Sequence, residues 1–288
     1  MKKLCVFSTI ISIDLPEEYF DEHMYKFYYN GSRDEDVAVA LSSGKMIEIP
    51  NDATKKASVT GHTVYNFNGI NYAIRSEYDK ITYFSYDNGY TSFVLNINEK
   101  IDLGDMLVVD DLKIEISAVL RRIFIMLVTI RSGVCLHSAS IKYKEYAIMF
   151  SGVSGTGKTT HANLWRTVFS DVDIINGDNG YLLIEDKNIY VYGSPWCGTS
   201  GECMSIKVPA KAVVFLEQAK ENCIVRLSIA EAFMRLSARC FVPSWDEKLM
   251  LDTLNTTEML ANTINCYLLK CLPDKNAVKA CYNGIYQS

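Results

Sequence analysis

The 288 residues contain no run of like charges, no CxxC pair and no apolar stretch long enough to cross a bilayer as a helix. Each absence removes a class of function. With 29 Lys and Arg against 34 Asp and Glu and no basic stripe, the chain lacks the electrostatic footprint of a nucleic-acid or membrane-surface protein. Its greasiest segment, "RRIFIMLVTIR", is too short between its arginines to span a membrane. The amino terminus, "MKKLCVFSTIISID", imitates a secretory signal. However, Ser8 and Thr9 interrupt the apolar run, Asp14 ends it and no small-residue cleavage site follows, so a β-strand is expected. Nine scattered cysteines, an odd number, suit a reducing cytoplasm, and they share no zinc-ligand spacing with His23, His62, His137 or His161. A soluble, cytoplasmic protein is expected.

A composition of 49% apolar and 22% charged residues is that of a globular chain with a sizeable core. Residues 1–105 read as strands and tight turns, with Asn68-Gly69 and Asn88-Gly89 each set between alternating runs as a hairpin turn. An antiparallel β-rich domain is expected there, with a second domain over 106–288. A helix from about Lys113 to Ile130 is apolar on most of its circumference, as an element buried between layers would be. Strands follow at "VCLHSASIKY" and "YAIMFSG", then a helix "KTTHANLWRTVF" with Ala162, Trp165, Val168 and Phe169 on one face. After the strand "VDIINGD", the segment "YLLIEDKNIYVYG" reads as two strands joined at Glu185 to Asn188. A Rossmann-type fold would instead continue with a helix and a parallel strand. The tail reads as strands at "KAVVFLEQ" and "NCIVRL", a helix opened by a Ser228/Glu231 capping box, and two more helices.

Gly152 to Thr159, "GVSGTGKT", fills every fixed position of the pattern GxxxxGK[ST] between an apolar strand and a helix. In such a loop the backbone N–H groups turn inward around an anion. Gly152, Ser154, Gly155, Thr156, Gly157, Lys158, Thr159 and Thr160 are therefore the candidate ATP contacts, with Lys158 as a point charge and Thr159 as a magnesium ligand. Asp178, about twenty residues on, stands where such folds place a carboxylate to hold magnesium; it is otherwise a turn aspartate beside Asn179 and Gly180. His137, ahead of the strand that leads to the loop, is either structural or catalytic. "GSPWCGTSGE" either borders an acceptor pocket, through Trp196 and Ser200 with Cys197 beside them, or is a surface loop. Arg235 and Arg239 either steady a phosphate or are solvated helix residues.

His137, "GVSGTGKTT" and "GDN" together resemble the histidine, phosphate loop and paired-acid segment of the HPr serine kinase/phosphorylases. More distantly they resemble the ATP-dependent phosphoenolpyruvate carboxykinases. The resemblance covers residues 130 to 240. It implies an α/β fold, with the β-rich first domain followed by a P-loop nucleotide-binding domain built on a mixed sheet. It also implies a phosphotransferase using ATP and Mg2+, with a peptide or protein serine, or a small alcohol such as free serine, as acceptor. Asp178 and His137 would act at the transferred phosphate with Lys158, Asp178 as the proton acceptor, and Asp178 and Thr159 would hold the metal. The departure is Asn179, where the family has a second aspartate; an amide neither takes a hydroxyl proton nor binds a divalent ion as a carboxylate does. A nucleotide-responsive module without transfer is the rival reading. Whether the chain forms a homo-oligomer is open.

Overall fold

The computed structural model describes residues 1–59 and 61–287. The chain forms two compact units, one of Met1–Leu127 with Pro243–Met250, the other of Val128–Val242 with Leu251–Ser288.

In the first unit, β1 (Lys2–Val6), β2 (Thr9–Asp14), β3 (Val37–Gly44), β4 (Thr54–Val59), β5 (His62–Phe67), β6 (Ile70–Ile74), β7 (Ile81–Asp87) and β8 (Ser92–Asn98) make one sheet. Its order is β1-β2-β3-β8-β7-β6-β5-β4. The sheet expected to be antiparallel is mixed, because β3 runs parallel to both β2 and β8. Parallel neighbours need long connections. Here one runs through the short helical turns Glu17–Tyr19 and Glu22–Phe27, and the other is the whole meander from β4 to β7.

Asn68 and Gly69 form the expected hairpin turn, with φ of 50° and 79°. Asn88-Gly89 also lies in the expected hairpin, between the antiparallel β7 and β8, but as part of a longer loop and not as a two-residue turn. The left-handed residue there is Tyr90, and the Asp87 carboxylate organises the loop by accepting from the backbone N–H groups of Gly89, Thr91 and Ser92 at 3.0, 2.8 and 2.7 Å.

The helix expected from Lys113 begins earlier, as α1 (Met106–Thr129), and Leu112, Ile116, Val119, Leu120 and Ile123 on it are fully buried. Its Glu115 accepts from the backbone N–H of Ile81 at 3.1 Å and pairs with Arg75 at 3.1 Å. Those ties carry the first unit past residue 105 to Leu127. Among the described residues no helix is long and apolar enough to cross a membrane.

The second unit contains β9 (Gly133–Tyr143), β10 (Tyr146–Ser151), α2 (Lys158–Val168), β11 (Val172–Asn176), β12 (Asn179–Glu185), β13 (Asn188–Tyr192), β14 (Lys207–Gln218), β15 (Cys223–Arg226), α3 (Ile229–Ser237), most of α4 (Glu247–Thr263), β16 (Asn265–Cys271) and α5 (Lys275–Tyr286). Strands β10, β14 and β16 are parallel neighbours, while β9, β11, β12, β13 and β15 pair antiparallel. The architecture is therefore α/β on two mixed sheets, one in each unit.

The parallel strands read as continuous apolar runs because both of their faces are covered. On β10, Ala147 and Met149 join a core with Leu236 of α3 and Leu260 of α4, while Ile148 and Phe150 join another with Trp165 of α2 and Val278 of α5.

The two longest strands change partner midway. β9 pairs with β12 over Gly133 to His137 and with β10 from Ser138 onward; β14 leaves β13 at Pro209 and joins β10 from Ala210.

Candidate functional site

The partner change in β9 is where the candidate residues meet. His137 is the last residue opposite β12, facing Asn179, and Ser138 is the first opposite β10, facing Ser151. Ser151 is also the residue before the glycine-rich loop, and its hydroxyl donates to the His137 carbonyl at 2.9 Å. One crossing of the sheet thus brings together a histidine, the turn that carries Asp178, and the mouth of the loop.

His137 Nδ1 lies 2.9 Å from Asp178 Oδ1, and both side chains are partly exposed. The Asn179 amide donates to Asp178 Oδ2 at 2.6 Å and to the Trp196 carbonyl at 3.2 Å. The hydrogen bond from His137, then its charge, the Asn179 amide and the Lys158 ammonium, hold the Asp178 carboxyl below the usual carboxylate range, although burial opposes them. Asn179 Oδ1 is buried without a partner among the described residues.

Beneath this pair lies a network that residue spacing did not reveal. The buried Asn176 accepts the backbone N–H of Asp178 at 2.9 Å and of Asn179 at 2.6 Å, and its amide donates to the Ser194 carbonyl at 2.8 Å. Ser194 Oγ in turn donates to the Asn179 carbonyl at 2.6 Å. Asn176 and Ser194 are both 0% exposed, so every bond in this set is shielded from competing water. The available signal was the asparagine at the head of "NGDN", a residue type that binds backbone two residues on.

The loop joins β10 to α2. Gly157 caps the helix with φ of 97°, a left-handed conformation that a side chain would strain, and a Cβ on Gly152 would fall 2.8 Å from Thr156 Oγ1 and 3.0 Å from the Leu216 carbonyl. Thr156 turns its hydroxyl back onto the Val153 carbonyl. Ser154, Gly155, Thr159 and Thr160 are exposed.

Lys158 is not the exposed, mobile lysine that its place in the pattern suggests: it is 8% exposed, and its ammonium donates to the carbonyls of Gly152 at 3.3 Å and Val153 at 3.4 Å. Burial pushes its pKa down. The Asp178 carboxylate pulls it back up and the Arg239 charge depresses it further. Beside the loop, a cavity of about 410 Å³ is lined by Gly155, Gly157, Thr160, Leu164, Leu216 and Cys271 among others.

The segment "GSPWCGTSGE" is no ordinary surface loop. Cys197 is buried, and a Cβ on Gly198 would fall 2.8 Å from that of Asp178. It is the backbone carbonyl of Trp196 that reaches the site, while Ser200 donates to the Cys197 carbonyl at 2.8 Å and so holds its own turn.

The two arginines separate. Arg235 lies on α3 and pairs with Glu217 at 2.9 Å, whereas the helix stops at Ser237 and leaves Arg239 beyond it. The Arg239 carbonyl accepts from the His137 N–H at 3.0 Å, which ties that turn to the dyad.

No protein-family model matches the chain, and no curated protein matches it. Among solved structures, the Hpr(Ser) kinase/phosphatase from Coxiella burnetii aligns with 53% of this chain and 88% of its own at 9% identity and a TM-score of 0.34. At that score the likeness carries no weight beside the geometry.

Proposed function

We propose that the chain is an HPr kinase-like phosphotransferase that moves the γ-phosphate of ATP to a hydroxyl, with a serine of a peptide or small protein as the favoured acceptor. The observation that carries this reading is the 2.9 Å contact between His137 and Asp178 at the mouth of a glycine-rich strand–loop–helix.

The space beside Gly155 and Gly157 is open, backbone N–H groups of a loop of this pattern can take an anion, and the buried Lys158 has carbonyls as its partners in the loop. ATP phosphates would lie there, with the nucleoside in the neighbouring cavity. Mg2+ would be held by the exposed Thr159 hydroxyl and the Asp178 carboxylate, oxygen donors of the kind a hard cation takes, and would supply charge neutralisation.

In the transfer, the acceptor oxygen bonds to the γ-phosphorus as the bond from phosphorus to the β–γ bridging oxygen breaks. ADP leaves with the electron pair. The hydroxyl proton passes to His137 Nε2 while Asp178 orients the ring through Nδ1. Asp178 itself is the weaker candidate for proton acceptor, because the same bonds that hold its carboxyl low make it a poor base.

The test is phosphate transfer from labelled ATP and magnesium to serine peptides by the wild type, His137→Ala and Asp178→Asn. Transfer by the wild type is expected, with kcat reduced about a hundred- to ten-thousand-fold in each variant and ATP affinity nearly kept. Transfer by Asp178→Asn at the wild-type rate sinks the dyad. ATP binding that leaves label on no acceptor favours the nucleotide-responsive module, the reading to which Asn179 in place of a second acid points. Label on free serine alone makes the protein a small-molecule kinase.

A further inference from the structure

The first unit holds polar groups that nothing among the described residues satisfies. His62 opens β5 and is 6% exposed, yet neither of its ring nitrogens has a hydrogen-bond partner. Trp245 stands edge-on to it at 5.5 Å, and its indole N–H is buried without a partner as well. Arg122 of α1 sets its guanidinium 5.9 Å from the Trp245 ring centre. The charges that act on Arg122 are those of Arg75 and Arg121, both repulsive, and Arg75 is itself engaged by Asp79 at 3.2 Å and Glu115 at 3.1 Å. No carboxylate among the described residues pairs with Arg122.

Each of these features is costly alone. An unmade hydrogen bond at a buried donor or acceptor costs about 1–3 kcal/mol, and a half-buried cation without a counter-charge costs more. They also share one place: His62, Arg122 and Trp245 line the same open cavity of about 510 Å³, together with Ser58, Val59 and Ser244.

We propose that this cavity binds a small monocarboxylate whose body is apolar or aromatic. Among the described residues the wall carries one guanidinium, no lysine and no acid, so it matches a single negative charge better than a phosphate dianion. The planar fork of an arginine meets a carboxylate through two parallel hydrogen bonds. Burial, with the charges of Arg122 and Arg75, pushes the His62 pKa down to about 4, so near neutral pH the ring adds no second positive charge beside the guanidinium. Ser58 and Ser244 bring hydroxyls to the wall, and Val59 with the Trp245 ring provides the apolar face. The site needs no nucleotide, and it stands whether or not the phosphotransfer reading does.

The experiment uses the full chain, with benzoate, benzamide and inorganic phosphate as probes and the Trp245 indole N–H signal in a nitrogen-15 correlation spectrum as readout. Trp245→Phe identifies that signal among those of Trp165 and Trp196. Benzoate is expected to shift it saturably, with benzamide and phosphate binding at least tenfold more weakly. Arg122→Gln should lose benzoate binding by tenfold or more, and Arg122→Lys, which keeps the charge but not the fork, should fall between.

The benzoate and benzamide comparison on the wild type needs no variant to fold. Equal shifts from benzoate and benzamide, no saturable shift from benzoate, or undiminished binding by a folded Arg122→Gln would each overturn the proposal. Phosphate binding tighter than benzoate would overturn the carboxylate assignment.

Discussion

Asn179 is the residue at which the chain departs from the family it resembles, and its geometry reverses the simplest expectation for repairing it. Its amide donates to Asp178 Oδ2 at 2.6 Å, so Asn179→Asp replaces a donor with a second negative charge against the first. Like charges that close cannot both ionise comfortably, and the carboxyl held low by its neighbours would rise. On the proposed transfer reading, Asn179→Asp should slow transfer and move the acidic limb of the pH–rate profile upward; a faster rate with an unmoved limb would show that the amide is only a placeholder.

His161, on the first turn of α2, makes a separate prediction. It accepts from Trp165 Nε1 at 3.2 Å, and burial pushes its pKa from the ordinary 6.5 down to about 4. The unfolded chain therefore takes up a proton first as pH falls. The stability that neutral His161 contributes is complete above pH 6.5 and is lost between there and about pH 4, to the extent of about 3 kcal/mol. In His161→Gln, which keeps an acceptor but does not titrate, Tm should fall less steeply over that window.

Among the elements, what sequence could reveal was whatever is specified by neighbours along the chain. The loop and α2, the paired strands β12 and β13, and the capping box with Ser228 accepting from Glu231 N–H are local devices and could be read directly. The parallel pairings of β3 could not, because they join segments whose relation depends on long connections that carry no local mark. The two asparagine–glycine turns look alike in sequence. They part because Asp87 offers the second a carboxylate that collects three backbone N–H groups. In the candidate site, His137 and Asp178 were visible as types at a spacing; the support from Asn176 and Ser194 was not, since it depends on strands that meet only in three dimensions.

At this scale the loop also makes a prediction. Gly157→Ala puts a side chain on a left-handed cap with open space around it, the nearest heavy atom being 3.9 Å away, so the penalty is backbone strain alone. A loss of about 1–2 kcal/mol is expected from thermal unfolding. A neutral substitution would mean that the cap relaxes.

For the whole molecule, the two compact units do not divide the chain at a single point. The first keeps α1 as far as Leu127 and takes back Pro243–Met250, in which Asp246 accepts from the hydroxyls of Tyr86 at 3.3 Å and Tyr90 at 2.9 Å. A chain shortened to 106–288 would carry the buried Leu112, Ile116, Val119, Leu120 and Ile123 without the first sheet and would lack a partner for the 243–250 segment. We expect it to aggregate or to bind a hydrophobic dye, measured by size-exclusion chromatography and dye fluorescence; a soluble monomer that unfolds cooperatively would refute this.

The returning segment also bears on the order in which the protein can be made. Chains leave the ribosome amino end first, at about 5–20 residues per second, and domains commonly fold as they emerge. Here the amino-terminal unit has to wait. Its hydroxyl pair finds Asp246 only after the glycine-rich loop, the dyad and most of the second sheet have been synthesised. A nascent chain halted just before residue 243 would hold a first unit still open at that seam, and release of the next few residues would close it.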